Sequence, residues 1–227
     1  EMLRSLVGSE MCIRDRSYND ANGIDLIQKY AHIYGLDQKT GLEISESKSS
    51  VATEYPVMAA IGQSDNNYTT VALSRYVTAV ASGKKYNYQL MDRIVDASGK
   101  TVKKYKADYE DISDTLTDSQ WDALHSGMRQ VVSTMDRFQG FDIPVAGKTG
   151  TAQQTGHANH GLFIGYAPYD DPEITIAVRI ANGYSSHNAA TAARNVISYY
   201  YKETSMKDIK EMKAAGVNGN TRNSVAD

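Results

Sequence analysis

Three strand-like runs near the end of the sequence constrain the fold more than any other feature. IPVAGKTGTAQ, HGLFIGYAP and EITIAVRIAN occupy residues 143–153, 160–168 and 173–182. The connections between them are short and contain glycine, aspartate and proline, which favour tight turns. Because short connections join antiparallel strands, whereas parallel strands need long crossovers, we expect a three-stranded antiparallel sheet.

Helical periodicity predicts four helices around this sheet. Apolar residues recur at helical spacing over residues 23–34, 69–82, 117–133 and 188–202. A glycine follows each of the first two segments, and the third opens with threonine and glutamine in capping-box spacing. The last segment is rich in alanine, and its predicted apolar face comprises Ala189, Ala193, Val196, Ile197 and Tyr200.

Between the second and third predicted helices, residues 88–105 indicate two short strands around a turn at Ser98 and Gly99. The order of elements is therefore helices, a three-stranded meander and a closing helix. This order predicts an α+β fold in which helices pack on an antiparallel sheet.

The two ends of the chain differ from the middle. LVGSEMCIRDR, at residues 6–16, back-translates to a sequence that resembles a transposase adapter used to prepare DNA libraries. The alternative is a genuine polar N-terminal segment, but we expect residues 1–16 to be foreign to the fold. Residues 17–203 are then the domain, and residues 204–227 lose the apolar pattern and are predicted to be a flexible tail.

Composition excludes several kinds of function. The net charge of −3 gives no basic field for a nucleic-acid partner. The single cysteine, Cys12, lies in the adapter-like segment, so we predict no disulfide, thiolate catalysis or cysteine-bound zinc. His157 and His160 have H-x-x-H spacing on a loop and a strand start, which indicates surface histidines rather than a metal site. No cofactor is predicted.

The stretch IPVAGKTGTAQQ, residues 143–154, raises the question of a phosphate-binding loop. Such a loop needs a glycine five residues before Gly147, where this chain has Asp142, and it leads into a helix rather than a strand. On a strand, Lys148 projects a cation and Gly150 leaves bare backbone on the same side. These residues suit an extended peptide that ends in a carboxylate, although a glycine-containing strand with one exposed lysine would look alike.

From about residue 18 to residue 201 the chain resembles the C-terminal part of the transpeptidase domain of class B penicillin-binding proteins. Lys-Thr-Gly is one of three signature motifs of this class of enzymes. The resemblance implies a serine β-lactamase/D,D-peptidase-like fold that lacks its N-terminal part. The matching segments are YAHIYGLDQKTGLEI, IGQSDNNYTTVALSRYVTAVASG, WDALHSGMRQVV, VAGKTGTAQ, HGLFIGYAP and the pair Asn182-Gly183.

This resemblance implies roles for four residues. Lys148 would supply positive field, Thr149 and Thr151 would bind the terminal carboxylate of the substrate, and Gly150 would lie against the bound chain. The amide of Thr151 would be one of two oxyanion-hole donors. The substrate implied is the D-Ala-D-Ala end of a peptidoglycan stem peptide, with β-lactams as inhibitors. The implied setting is the extracytoplasmic face of the cell membrane, with an upstream anchor and a membrane glycan polymerase as partner.

Two signature motifs of the family have no counterpart at the expected position. No Ser-x-x-Lys precedes the matched region, since Ser45 and Lys48 fall after the first helix, and Ser17 opens a Ser-Tyr-Asn segment too close to that helix. Ser64 replaces a family glycine and would be strained if that glycine needs positive φ. We therefore expect a transpeptidase fragment without its nucleophile, inactive by itself. A non-catalytic peptidoglycan or β-lactam sensor, or a hydrolase of the same fold, is the alternative.

Overall fold

The computed structural model of the chain describes residues 20–153 and 156–211. The adapter-like segment, Ser17 and the last sixteen residues lie outside the described part. The helices are α1 (Asp20–Ile33), α2 (Pro56–Ala60), α3 (Thr70–Ser82), α4 (Asp118–Ser133), α5 (Ser186–Tyr200) and α6 (Met206–Glu211). The strands are β1 (Lys84–Asn87), β2 (Arg93–Val95), β3 (Thr101–Lys104), β4 (Asp108–Asp111), β5 (Ala146–Ala152), β6 (His160–Ala167) and β7 (Ile174–Ile180).

The predicted three-stranded meander is confirmed. The strands follow the order β5-β6-β7, and both pairs are antiparallel. In this register Thr149 lies opposite Phe163, and Phe163 lies opposite Val178 on the next strand. Since β6 is the central strand, β5, which carries the Lys-Thr-Gly element, forms one edge of the sheet.

The sheet separates two apolar cores, because successive residues of a strand point to opposite faces. Phe163, on one face, belongs to a core that includes Ala189, Ala193 and Ile197 of α5. Tyr166, on the other face, belongs to a core that includes Val77 of α3. The sheet is thus the middle layer between α5 and the earlier helices, as the α+β prediction requires.

Two glycines let Phe163 lie flat across the sheet. A Cβ at Gly147 would lie 2.5 Å from Cζ of Phe163, and a Cβ at Gly165 would lie 2.6 Å from the Ala146 carbonyl oxygen. Real Cβ atoms do not approach so closely, so any other residue would displace the ring or the strand. Gly147, at the start of β5, is therefore needed for core packing. A Cβ at Gly150 would meet only Cβ of Leu162, at 3.5 Å, so core packing does not require a glycine there.

The helices agree with the periodicity in position but not in every face. Helix α4 begins after Thr117, whose amide donates to Oε1 of Gln120 at 2.9 Å, as the capping-box spacing predicts. On α5 the prediction for two residues is wrong, since Val196 is 49% exposed and Tyr200 is 51% exposed. Ala190 is buried in their place. The alanines bring α5 close to the sheet, so its buried face is centred on them and the larger side chains lie on its flank.

Two further differences concern polar segments. The hairpin of β2 and β3 confirms the predicted turn, but β1 and β4 form a second antiparallel pair that the sequence pattern did not indicate. Their sequences, KKYN and DYED, alternate no apolar residues. Within the segment predicted to be a flexible tail, residues 204–227, Met206–Glu211 forms the short helix α6.

Candidate active site

Strand β5 presents the Lys-Thr-Gly element at the open edge of the sheet. The register places Lys148 opposite Ile164 and Gly150 opposite Leu162, so both lie on the face that α3 covers. Thr149 lies on the opposite face, with Phe163. The strand therefore brings the cation and the bare backbone together, as predicted, whereas the threonine side chains start from the other face.

Lys148 is exposed, and its ammonium group returns to the strand backbone. Its Nζ donates to the carbonyl oxygen of Thr149 at 2.8 Å. Strand β6 lies on the inner side of β5. Because the carbonyl oxygen of Thr149 accepts from the exposed side chain of Lys148, this carbonyl points to the outer side of the strand, away from β6. The positive charge is thereby held beside the edge where an extended ligand would pair.

Thr151 also directs its backbone to the outer edge. Its carbonyl oxygen accepts a hydrogen bond from Nε2 of Gln63 at 3.5 Å. In an antiparallel strand, a residue turns its N–H and C=O to the same side, and residues two apart share that side. The geometry thus aims the amides of Thr149 and Thr151 away from β6, which is the direction an oxyanion-hole donor on this strand requires.

Gln63 belongs to a loop that follows α2 and is held by its own hydrogen bonds. Asn66 donates from Nδ2 to the carbonyl oxygens of Ala59, at 3.3 Å, and Gln63, at 3.0 Å. Its Oδ1 accepts from the amide of Ala52 at 2.9 Å and from the Tyr68 hydroxyl at 2.6 Å. One asparagine therefore ties both ends of the loop together.

Ser64 lies in the same loop at a backbone conformation that favours glycine. Its φ is 69°, so the condition under which serine is strained at this departure from the family pattern is met. The hydroxyl donates to the carbonyl oxygen of Glu54 at 2.8 Å and contacts Oδ1 of Asp65 at 3.0 Å. These bonds offset part of the strain that the side chain introduces.

Asp65 anchors the loop to the segment before α2. Its carboxylate accepts from the Thr53 hydroxyl at 2.7 Å and from the Thr53 amide at 3.1 Å. Hydrogen bonds from the Thr53 side chain and then from its backbone lower the pKa of Asp65 to about 2. The carboxylate is therefore charged throughout the neutral range and can accept the hydrogen bonds from Thr53 there.

The far end of β5 lies against His160, where one prediction needs correction. His157 is exposed, but His160 is only 8% exposed and is not a surface histidine. Nδ1 of His160 accepts from the amide of Asn182 at 3.0 Å, and Nε2 lies 2.8 Å from a guanidinium nitrogen of Arg179. Burial, and then the positive charge of Arg179, lower the pKa of His160. These contacts disfavour the protonated ring.

Among the described residues, no group of three or more histidine, cysteine, aspartate or glutamate side chains is placed to hold a metal ion. Within the same part of the chain, none of the helices combines the length and the apolarity needed to cross a bilayer.

The serine candidates do not gather at this edge. Ser17 lies outside the described residues, and Ser45 and Lys48 lie exposed in the loop after α1. Glu46 in that loop accepts from the amide of Thr40 at 2.9 Å, so the loop folds back on its own start. Nothing in these contacts connects Ser45 to β5.

Sequence reasoning missed one buried cation. Arg75 is 1% exposed and donates to the carbonyl oxygens of Lys39, at 2.8 Å, Gln38, at 3.1 Å, and Gly35. Burial lowers its pKa. An arginine three residues after Ala72 on an otherwise apolar helix face was the available signal. Arg75 holds the loop between α1 and the rest of the fold.

With the edge strand and its surroundings established, comparison with known proteins identifies the family. The model of the penicillin-binding protein transpeptidase domain matches residues 16–198. The chain therefore belongs to the penicillin-binding protein transpeptidase family, and the recognition from sequence is confirmed.

Individual relatives agree with this assignment. The chain is 26% identical to peptidoglycan D,D-transpeptidase MrdA of Haemophilus influenzae, over 80% of this chain and 33% of that protein. It is 31% identical to penicillin-binding protein 2B of Streptococcus pneumoniae serotype 2, over 74% of this chain and 28% of that protein. The chain thus spans about a third of the length of these relatives.

The fold itself has counterparts among solved structures. The imipenem acyl-enzyme complex of penicillin-binding protein A from M. tuberculosis superposes with a TM-score of 0.69 at 22% identity. The match covers 78% of this chain and 42% of that one. The predicted α+β transpeptidase fold is confirmed, for the part of the domain that this chain contains.

Proposed function

We propose that this chain supplies the Lys-Thr-Gly wall of the active site of a peptidoglycan D,D-transpeptidase. The single observation that carries the proposal is the outer edge of β5, where Lys148 is exposed and the backbone of Thr151 points away from β6. Membership in the transpeptidase family supports the same reading. The nucleophilic serine would come from a part of the domain that the relatives have beyond the matched region.

The reaction follows the logic of acyl transfer through a covalent serine intermediate. The serine oxygen attacks the carbonyl carbon of the penultimate D-Ala, and its proton passes to the departing amine of the terminal D-Ala. The amine of a second stem peptide then attacks the acyl-serine, forms the cross-link amide and returns a proton to the serine. Both tetrahedral intermediates carry an oxyanion, which the amide of Thr151 would stabilise, and loss of one such donor typically costs ~10²–10³ in rate.

Lys148 would act by its charge. Its ammonium group beside the strand would favour the carboxylate of the terminal D-Ala and lower the cost of developing negative charge. Thr149 and Thr151 would bind that carboxylate through their hydroxyls, reaching around the edge, and Gly150 would let the ligand lie close to β5. A β-lactam, which presents a strained amide and a carboxylate, would enter the same groove.

The cellular setting belongs to the proposal as well. A protein that cross-links peptidoglycan acts on the extracytoplasmic face of the membrane, and an upstream segment would anchor it there. A membrane glycan polymerase, which makes the strands to be cross-linked, is the partner expected for it.

The experiment is labelling with a fluorescent penicillin of two proteins, the 227-residue chain and the longer protein that includes the upstream part of the domain. We expect label only on the longer protein, and Lys148→Ala in it should suppress the acylation rate by about 10²-fold. Lys104→Ala, at an exposed lysine on β3, is the matched control and should label normally. Stoichiometric labelling of the 227-residue chain would contradict the proposal, and a labelled longer protein that releases no D-Ala from a stem peptide would favour a sensor.

A further inference from the structure

We infer that Gln63 is a positioning residue for the Thr151 peptide, so that the loop after α2 sets the geometry of the oxyanion-hole strand. The inference rests on the proposed function, since it assigns Gln63 to the same site. The contact joins residues that are 88 positions apart, from Nε2 of Gln63 to the carbonyl oxygen of Thr151. It is therefore a tertiary contact between the helical part of the domain and the edge of the sheet.

The hydrogen bond acts on the backbone on both sides of Thr151. The carbonyl that Gln63 binds belongs to the peptide unit after Thr151, whereas the amide that would face the oxyanion belongs to the unit before it. Because only two backbone torsions lie between these planar units, fixing the carbonyl limits the direction of the amide. An edge strand needs such a restraint, since no neighbouring strand holds its outer side.

The loop can provide this restraint because it is held independently of β5. Asn66 donates to the carbonyl oxygen of Gln63 itself, at 3.0 Å, and the carboxylate of Asp65 accepts from both the amide and the hydroxyl of Thr53. Ser64, at positive φ between these residues, adds its own bond to Glu54 at 2.8 Å. The backbone of Gln63 is thus held by the contacts of its neighbouring residues, and these contacts do not depend on the one that its side chain makes with β5.

Because of this arrangement, the Nε2 donor of Gln63 matters more than the volume of its side chain. A displacement of about 1 Å in a catalytic group can cost ~10²-fold in rate, and the groups on this strand act by direction rather than by reactivity. Replacing the amide NH₂ by an acceptor should turn the Thr151 carbonyl away, and with it the amide. The free energy of folding should hardly change, because the contact is one part-buried hydrogen bond.

The test compares Gln63→Glu and Gln63→Met with Gln139→Glu in the longer protein. Gln139 is a matched control, because its Nε2 also donates to a backbone carbonyl, but that carbonyl belongs to Ser133, the last residue of α4, at 2.9 Å, and not to β5. With fluorescent penicillin, we expect the acylation rate constant of both Gln63 variants to fall at least tenfold while the binding constant and melting temperature stay near those of the control.

A second measurement reports on the contact without relying on catalysis. With a ¹³C label at the carbonyl of Thr151, the NMR shift should move in Gln63→Met and stay in place in Gln139→Glu. Unchanged acylation in the Gln63 variants, or an unchanged carbonyl shift, would overturn the inference. Failure of the protein with Gln63 intact to take any label would instead overturn the proposed function, which separates the two.

Discussion

The three-stranded sheet and the β2–β3 hairpin are both antiparallel, yet their strands are buried to opposite degrees. Most residues of β6 are buried, and its aromatic side chains enter two cores. Every residue of β2 and β3 is exposed, and Val102 at 68% is among the most exposed apolar side chains of the described residues. The same hydrogen-bonding pattern therefore serves a core in one region and an appendage in the other.

The difference shows which part of the chain is held rigidly. A two-stranded hairpin is marginal alone in water, and this one is held by local bonds such as those from Ser98 to Asp96, at 2.6 and 2.9 Å. The sheet, in contrast, fixes β5 through β6 to both cores, so the Lys-Thr-Gly edge inherits the rigidity of the interior. Catalytic groups mounted on such a strand keep their direction better than groups on a hairpin would.

The largest expected effect comes from filling space beneath the site strand. In Gly147→Ala the new Cβ would lie 2.5 Å from the Phe163 ring and 2.6 Å from the Ile164 carbonyl oxygen, so overpacking should lower the free energy of unfolding by about 1–3 kcal/mol. Gly150→Ala is the control on the same strand, because its Cβ would meet only Cβ of Leu162 at 3.5 Å. Equilibrium urea unfolding of both variants measures the difference. Equal stability would mean that the core yields freely at Phe163 and that β5 is less rigid than the packing indicates.

A second, smaller effect is a pH dependence that should appear in the sheet and not in the hairpin. Burial and Arg179 lower the pKa of His160, whereas an unfolded histidine titrates near 6.5. The unfolded chain then binds more protons in that range, so the stability linked to His160 is present above pH ~6.5 and is lost as pH falls below it, toward the lowered value.

The measurement is the urea midpoint at pH 7.5 and at pH 5.5. We expect a lower midpoint at pH 5.5, and a smaller drop in His160→Gln, whose amide oxygen can still accept from Asn182. The same pH dependence in the unsubstituted chain and in His160→Gln would assign the titration to another group.

The sequence predicts most of the sheet and little of what holds it in place. The sequence runs that contain β5 to β7 carry isoleucine or valine and are bounded by turn residues, and their short connections leave few ways to pair. The polar strands β1 and β4 escape the pattern, because their pairing depends on partners distant in sequence rather than on alternation. Arg75 and Gln63 escape for the same reason, since each binds backbone carbonyls far along the chain.

The candidate site divides in the same way. Lys148 and Gly150 were predictable as neighbours on one face, because the alternation of a strand is a local rule. The outward direction of the Thr151 backbone was not, because it depends on which side β6 occupies and on what reaches the other side. Val196 and Tyr200 were misassigned to the buried face of α5 because a helix that packs through alanines turns its large residues to the flank.

The smallest expected effect tests the hairpin side of the comparison. Val102 lies on β3 opposite the irregularity between Ile94 and Val95, so it has less cross-strand support than a residue in regular register. Val102→Ser removes exposed apolar surface and some strand propensity, and surface substitutions of this kind change the free energy of unfolding by less than about 0.5 kcal/mol.

Val178→Ser on β7, where the valine packs against the α5 core, is the counterpart and should cost more because it places a hydroxyl there. Urea unfolding of the two variants decides the matter. If Val102→Ser lost as much stability as Val178→Ser, the hairpin would have to pack against the body of the domain, and the contrast between a buried site-bearing sheet and an independent appendage would no longer hold.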